Sequence, residues 1–209
     1  MNLLLRISRG IDNTIDFMGR KLAWLVLLML LIGVYNVIAR YVGSAIGVNL
    51  TSNALIEAQW MLFSALFFLG ASYVLRHNEH VRVDFLYGNW GPRRRAWVNL
   101  LGTILFLLPF CIVVLWVSTR PVLISWGWNP LTSQWRTWEV SPNPGGLPYA
   151  PVKSLILIGF SLLFAQGLSE IIKNVAILQG RLQSHEKTLE ETFAQGALLP
   201  GRVPESTIN

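Results

Sequence analysis

Four strongly apolar stretches of this sequence run without a charge for 16 to 24 residues: 22–39, 58–75, 96–119 and 154–169. A helix of 18 residues reaches about 27 Å at 1.5 Å per residue. That is close to the roughly 30 Å hydrocarbon core of a bilayer. No water reaches that core, so a crossing segment must satisfy its own backbone hydrogen bonds, and a helix does so. Composition agrees: 53% of the 209 residues are hydrophobic and 13% charged, against about 25% charged in soluble domains. The expectation is an all-α integral membrane protein with four transmembrane helices, at about 22–40, 54–75, 96–119 and 152–170. The net charge of +6 does not point to nucleic acid, because the basic residues flank apolar runs and form no separate domain. The single cysteine, Cys111, excludes an internal disulfide and a cysteine metal cage. It reads as a small core residue.

Residues 1–20 place Leu3, Leu4, Ile7, Ile11, Ile15 and Met18 at three- and four-residue steps, with Arg6, Arg9, Asp12, Asp16 and Arg20 between them. This amphipathic pattern predicts an interfacial helix lying at the lipid boundary; the other reading is the start of the first span. No small-residue cleavage site follows the first apolar run, so it is read as uncleaved. Asn36 is expected to bond a neighbouring helix. Thr51, Ser52 or Asn53 can cap the second helix, and Glu57 then lies in its first turn, where the dipole favours an acid. Gly70 and Ala71 would let another helix approach closely. Pro92 suits the first position of a third helix, and Pro109 should kink it. The 120–152 connection holds Trp126, Trp128, Trp135, Trp138 and the pair Gly145-Gly146 among six prolines. A flexible linker would be poor in aromatics, so this loop is expected to be ordered. The membrane domain is thus 21–175, followed by a tail at 176–209.

Lysines and arginines set the orientation. Thirteen lie on the side of the two termini and the 76–95 loop, and four (Arg40, Arg120, Arg136, Lys153) on the other. Both termini are therefore expected in the cytoplasm. The densest polar cluster follows the second span: Arg76, His77, Glu79, His80, Arg82 and Asp84. Its spacing matches no metal-ligand signature, and it reads as a hydrogen-bonded membrane exit. No Ser-His-Asp set can be placed, no catalytic residue is assigned, and an enzyme is not expected. The span centres are apolar, with Ser64, Thr103, Ser161 and Gln166 as minor exceptions. Carriers place polar groups at the midplane; a coupling site would then belong to another polypeptide.

The run from Glu57 and Trp60 through Gly70-Ala71 to His80-Val81-Arg82-Val83-Asp84 resembles the small membrane subunit of tripartite ATP-independent periplasmic (TRAP) transporters. Ser141-Pro142-Asn143-Pro144-Gly145-Gly146-Leu147-Pro148 is similar to a branch of that family. The resemblance implies a multi-pass protein of the bacterial inner membrane, working in symport. A periplasmic binding protein would deliver an organic anion, commonly a carboxylate, to a large subunit that carries it inward with sodium. The small chain would brace that subunit and bind neither cofactor nor sodium itself. It further implies subunit-interface roles for Glu57, Gly70, Ala71, Glu79, His80, Arg82 and Asp84. The alternative for that cluster is contact within this chain only. Trp126, Trp128, Trp135, Trp138, Gly145 and Gly146 would lie on the periplasmic face, either anchoring in the membrane or within reach of the binding protein. The competing class is a four-helix anchor or accessory subunit of an unrelated membrane enzyme.

Overall fold

Helix α1 (Asn2–Ile46) runs unbroken for 45 residues, about 67 Å at 1.5 Å per residue, in a computed structural model that describes residues 2–77 and 90–180. The sequence reading ended an interfacial arm at residue 20. The structure instead continues one rod, because one face of the arm is claimed by protein. Ser8, Asp12 and Ile15 are buried, while Leu3, Leu4 and Ile7 remain exposed. The rod stops at Gly47, whose φ of 72° costs little without a Cβ. The Val48 N–H then closes on the Gly43 carbonyl at 3.0 Å.

Helix α2 (Asn53–Arg76) starts at Ser52, whose side chain accepts from the Ala54 N–H. Helix α3 (Pro92–Gly102) has proline in its first turn, where the missing N–H removes no bond. A π-helical turn follows at Thr103–Leu107, then α4 (Leu108–Ser125). Pro109 donates no bond, and its ring crowds the carbonyl four residues back. The chain relieves this just upstream, where the Leu108 N–H reaches back five residues to Thr103. The expected kink therefore takes the form of a π turn. A short hairpin, β1 (Trp128–Asn129) and β2 (Gln134–Trp135), pairs Trp128 with Trp135. Helix α5 (Ala150–Leu178) closes the fold.

Four helical stretches are long and apolar enough to cross a membrane: Leu3–Ile46, Asn53–Arg76, Arg93–Ser125 and Ala150–Leu178. The last is the hub. α1 and α2 pack on α5, and so do α3 and α4, with no substantial packing of α4 on α1 or α2. α1 and α2 run antiparallel in steady register. From Asp16–Arg76 through Gly19–Tyr73 and Gly70–Leu22 to Gly33–Gln59, each step up one helix is matched by an equal step down the other. The α2–α5 crossing is closest at Gly159, where an added Cβ would lie 2.6 Å from the Phe68 carbonyl.

Among the described residues the interior is as polar as it is apolar. Buried Ile15, Leu22, Cys111 and Val122 are joined by Ser8, Asp12, Glu57, Thr103, Gln166 and Ser169. Lipid tails provide no hydrophobic drive for helices to associate, so small residues and hydrogen bonds hold them together. Large apolar side chains point outward instead, among them Leu30, Val37, Phe106, Phe110 and Trp116.

Candidate functional site

Two polar knots tie the helices, one at each end of the bundle. The first gathers at the end where α2 finishes and α5 approaches its own finish. Arg76 reaches across from α2 to two acids one turn apart on α1: Asp12 at 2.6 Å and Asp16 at 2.5 Å. His77 Nε2 lies 3.1 Å from Asp16. From α5, Lys173 approaches Asp12 at 3.2 Å and Glu170 at 2.6 Å. The Ser169 hydroxyl donates to Asp12 at 2.9 Å and meets the Ser8 hydroxyl at 2.7 Å. Gln166, fully buried, donates to both Asp12 and Glu170. Charges in a low-dielectric setting are tolerable only when paired and hydrogen-bonded, and here three helices share the pairing. The knot fixes the long rod α1 against both α2 and α5.

The second knot is at the loop end and is built on one carboxylate. Glu57, 3% exposed, accepts a hydrogen bond from the Ser141 hydroxyl. Asn143 Nδ2 donates to it at 2.9 Å, and the Leu147 N–H donates to its other oxygen at 2.7 Å. The loop is shaped for this grip. Ser141 N–H bonds the Leu147 carbonyl at 3.1 Å, and Gly145 turns with a φ of 71°. Gly146 lies against Ser141. Lys153 pairs with Glu139 beneath it. Glu57 thus does more than favour a helix dipole: it clamps a loop 84 residues away in sequence onto the start of α2.

The tryptophans expected in this region make two pairs. Trp126 donates through Nε1 to Ser154 at 2.8 Å and stands edge-on to Trp138, with ring centres 4.7 Å apart. Trp128 and Trp135 face each other across the hairpin at 5.3 Å. Gly127, with a φ of 97°, lets the hairpin close because the Arg136 carbonyl occupies the place of a side chain. The loop is ordered, as its aromatics suggested, and it folds onto this chain's own helix ends. Trp135 and Trp138 stay at least half exposed.

Other expectations fare differently. Among the described residues of this chain Gly70 marks no close crossing: a Cβ there would meet only Leu22, at an ordinary 3.8 Å. The tight approaches between helices are at Gly19 against Tyr73, at Gly33 against Gln59 and at Gly159 against Phe68, with a looser one at Gly167, which lies against Thr103, Leu107 and Leu108 beside the π turn. Ala71 is half-buried on α2. Asn36 was expected to bond a neighbouring helix, yet its Oδ1 is buried without a hydrogen-bond partner among the described residues. Glu79, His80, Arg82 and Asp84 lie outside the described residues. Ser8, Asp12, Asp16, Gln166, Ser169, Glu170 and Lys173 were not singled out as a site, although a signal was present. Ser8, Asp12 and Asp16 recur at four-residue steps, and Gln166, Ser169, Glu170 and Lys173 at three- and four-residue steps, so each set forms one helical face.

The sequence model of one family, described as Tripartite ATP-independent periplasmic transporters, DctQ component, matches residues 29–176. No curated protein and no solved structure matches the chain.

Proposed function

Because this chain belongs to the DctQ component family of tripartite ATP-independent periplasmic transporters, we propose that it is the small scaffold subunit of a sodium-coupled importer of an organic anion. A periplasmic binding protein delivers that anion, a carboxylate, and a large membrane subunit carries it inward together with sodium. The present chain braces the large subunit and widens its footprint in the bacterial inner membrane. Both its termini face the cytoplasm, and the Glu57-clamped loop faces the periplasm.

The observation that supports this reading is where the polar chemistry sits. The ionic groups of the two knots lie near the bundle ends and are matched within the chain. Between them the helices present apolar side chains outward, with Leu27, Leu30, Leu31 and Val34 exposed on α1 and Phe106, Ile112, Val113 and Trp116 on α3–α4. A carrier needs polar groups at mid-depth to bind its solute. An apolar flank suits packing against lipid and a second membrane protein.

A mild-detergent pull-down of this chain from its native membrane tests the proposal. The expected result is recovery of one large multi-span protein. Reconstitution provides the second arm: vesicles holding this chain alone should show no sodium-dependent carboxylate uptake, and adding the large subunit and binding protein should restore it. Uptake by this chain alone overturns the reading.

A further inference from the structure

Where α1 turns into α2, at the loop end, the chain forms an open cleft of about 310 Å³ lined by Ala39, Arg40, Gly43, Ser44, Asn49 and Thr51. We propose that it is a phospholipid headgroup site, in which the lipid phosphate is held by Arg40, Ser44 and Asn49.

The wall is built by close backbone approach. The chain after Gly47 folds back so that a Cβ on Gly43 would lie 2.5 Å from the Val48 carbonyl. Three exposed donors then line the cleft without a protein acceptor among the described residues. Arg40 has no ion pair or hydrogen bond among the described residues, unlike Arg76 in the other knot. The Ser44 hydroxyl is likewise unpartnered among them, whereas Thr14 and Thr119 on comparable helical turns bond back to the carbonyl four residues earlier. Asn49 spends its oxygen on the Thr51 N–H and hydroxyl, both at 3.1 Å. That fixes the amide plane and leaves its Nδ2 group to donate. A guanidinium, a hydroxyl and an amide all donate, and their shared complement is an anion with several acceptor oxygens.

Depth decides which anion. Arg40 ends the uncharged 22–39 stretch, so its side chain lies at the boundary between hydrocarbon and water, where arginines meet lipid phosphates. Val37, Ile38 and Tyr41 flank it and are more than half exposed, which provides an apolar path for acyl chains beneath the headgroup. A free solute anion would have no use for that apolar flank. A lipid uses both parts.

The test uses the full chain purified in detergent, stripped of lipid and titrated with dioleoyl phosphatidylethanolamine, with bound lipid counted by native mass spectrometry. Dioleoylglycerol, with the same acyl chains and no phosphate, is the parallel titrant. One phospholipid should be held by the native chain, and dioleoylglycerol should not. Arg40→Ala should weaken retention by about tenfold, the scale of one lost hydrogen bond to a charged group, and Arg40→Lys by less. Circular dichroism should show both variants folded as the native chain is. Equal retention by Arg40→Ala, or equal binding of dioleoylglycerol, overturns the site as ordinary annular lipid. Displacement of the lipid by millimolar inorganic phosphate overturns the lipid assignment in favour of a soluble anion.

Discussion

A carboxylate inside the membrane boundary has to be matched donor for donor, and Glu57 is matched by a hydroxyl, an amide and a backbone N–H. Glu57→Gln replaces one acceptor oxygen by a donor that faces other donors. The 141–147 loop should then detach from α2 and become a site of limited proteolysis in the folded protein, while the native loop resists cleavage. At the other knot, Asp12→Ala leaves Arg76 with Asp16 alone and Lys173 with Glu170 alone, and takes an acceptor from Gln166 and Ser169. The expected loss is about 2 kcal/mol, between the limits for exposed and buried ion pairs, read as a lower thermal midpoint in detergent. Two glycines separate close packing from mere smallness. Gly159→Ala forces a Cβ toward the Phe68 carbonyl and should cost about 1–3 kcal/mol through overpacking. Gly70→Ala meets only an ordinary contact and should stay within about 0.5 kcal/mol. The same thermal measurement compares the pair, and equal losses would contradict the crossing described here.

At the scale of elements, the α3–α4 span carries its irregularity where Pro109 demands it. Pro109→Ala restores an N–H and removes the ring clash, so 103–107 should relax to ordinary α-helix. The backbone amide of Leu108, bonded to Thr103 in the native turn, would then bond to Ile104, a change that a structure of the variant would show directly. The spans, the Ser52 cap, the Pro92 start and the Pro109 distortion were legible in the sequence because each depends on residues within one or two turns. The clamp on Glu57 was not, since its donors come from residues 141–147 and local propensity carries no record of so distant a contact. The arm at 2–20 misled for a related reason. Its three- and four-residue periodicity is real, but periodicity reports that a helix has two faces and not which face meets lipid. Matching the Ser8–Asp12–Asp16 face to the Gln166–Lys173 face would have exposed the answer, because buried acids require donors on a facing helix.

For the whole molecule, α5 is the element on which the rest assembles. The α1–α2 hairpin holds one flank and α3–α4 the other, with no substantial packing between α4 and that hairpin. A fragment covering 1–90 and one covering 91–149 should therefore fail to co-purify when expressed together, whereas fragments 1–90 and 91–209 should associate through α5. Association of the first pair would show that the two flanks recognise each other without the hub. This plan also accounts for the balance of the interior. α5 has to present different partners on different sides: Gly159 to α2, Gly167 to α3–α4, and Ser169 with Lys173 to α1. It is the most buried of the four spans, with 28% of its apolar stretch buried against 11% or less for the others.

The hub is also the last of these four spans to be synthesised. Until it enters the bilayer, Asp12 waits without Lys173, Glu57 waits for a loop that ends at the threshold of α5, and the α1–α2 hairpin and the third crossing have nothing to unite them. The bundle is therefore completed only with α5, and a ribosome that stalls before residue 150 leaves behind an α1–α2 hairpin and a separate third span instead of a smaller working protein.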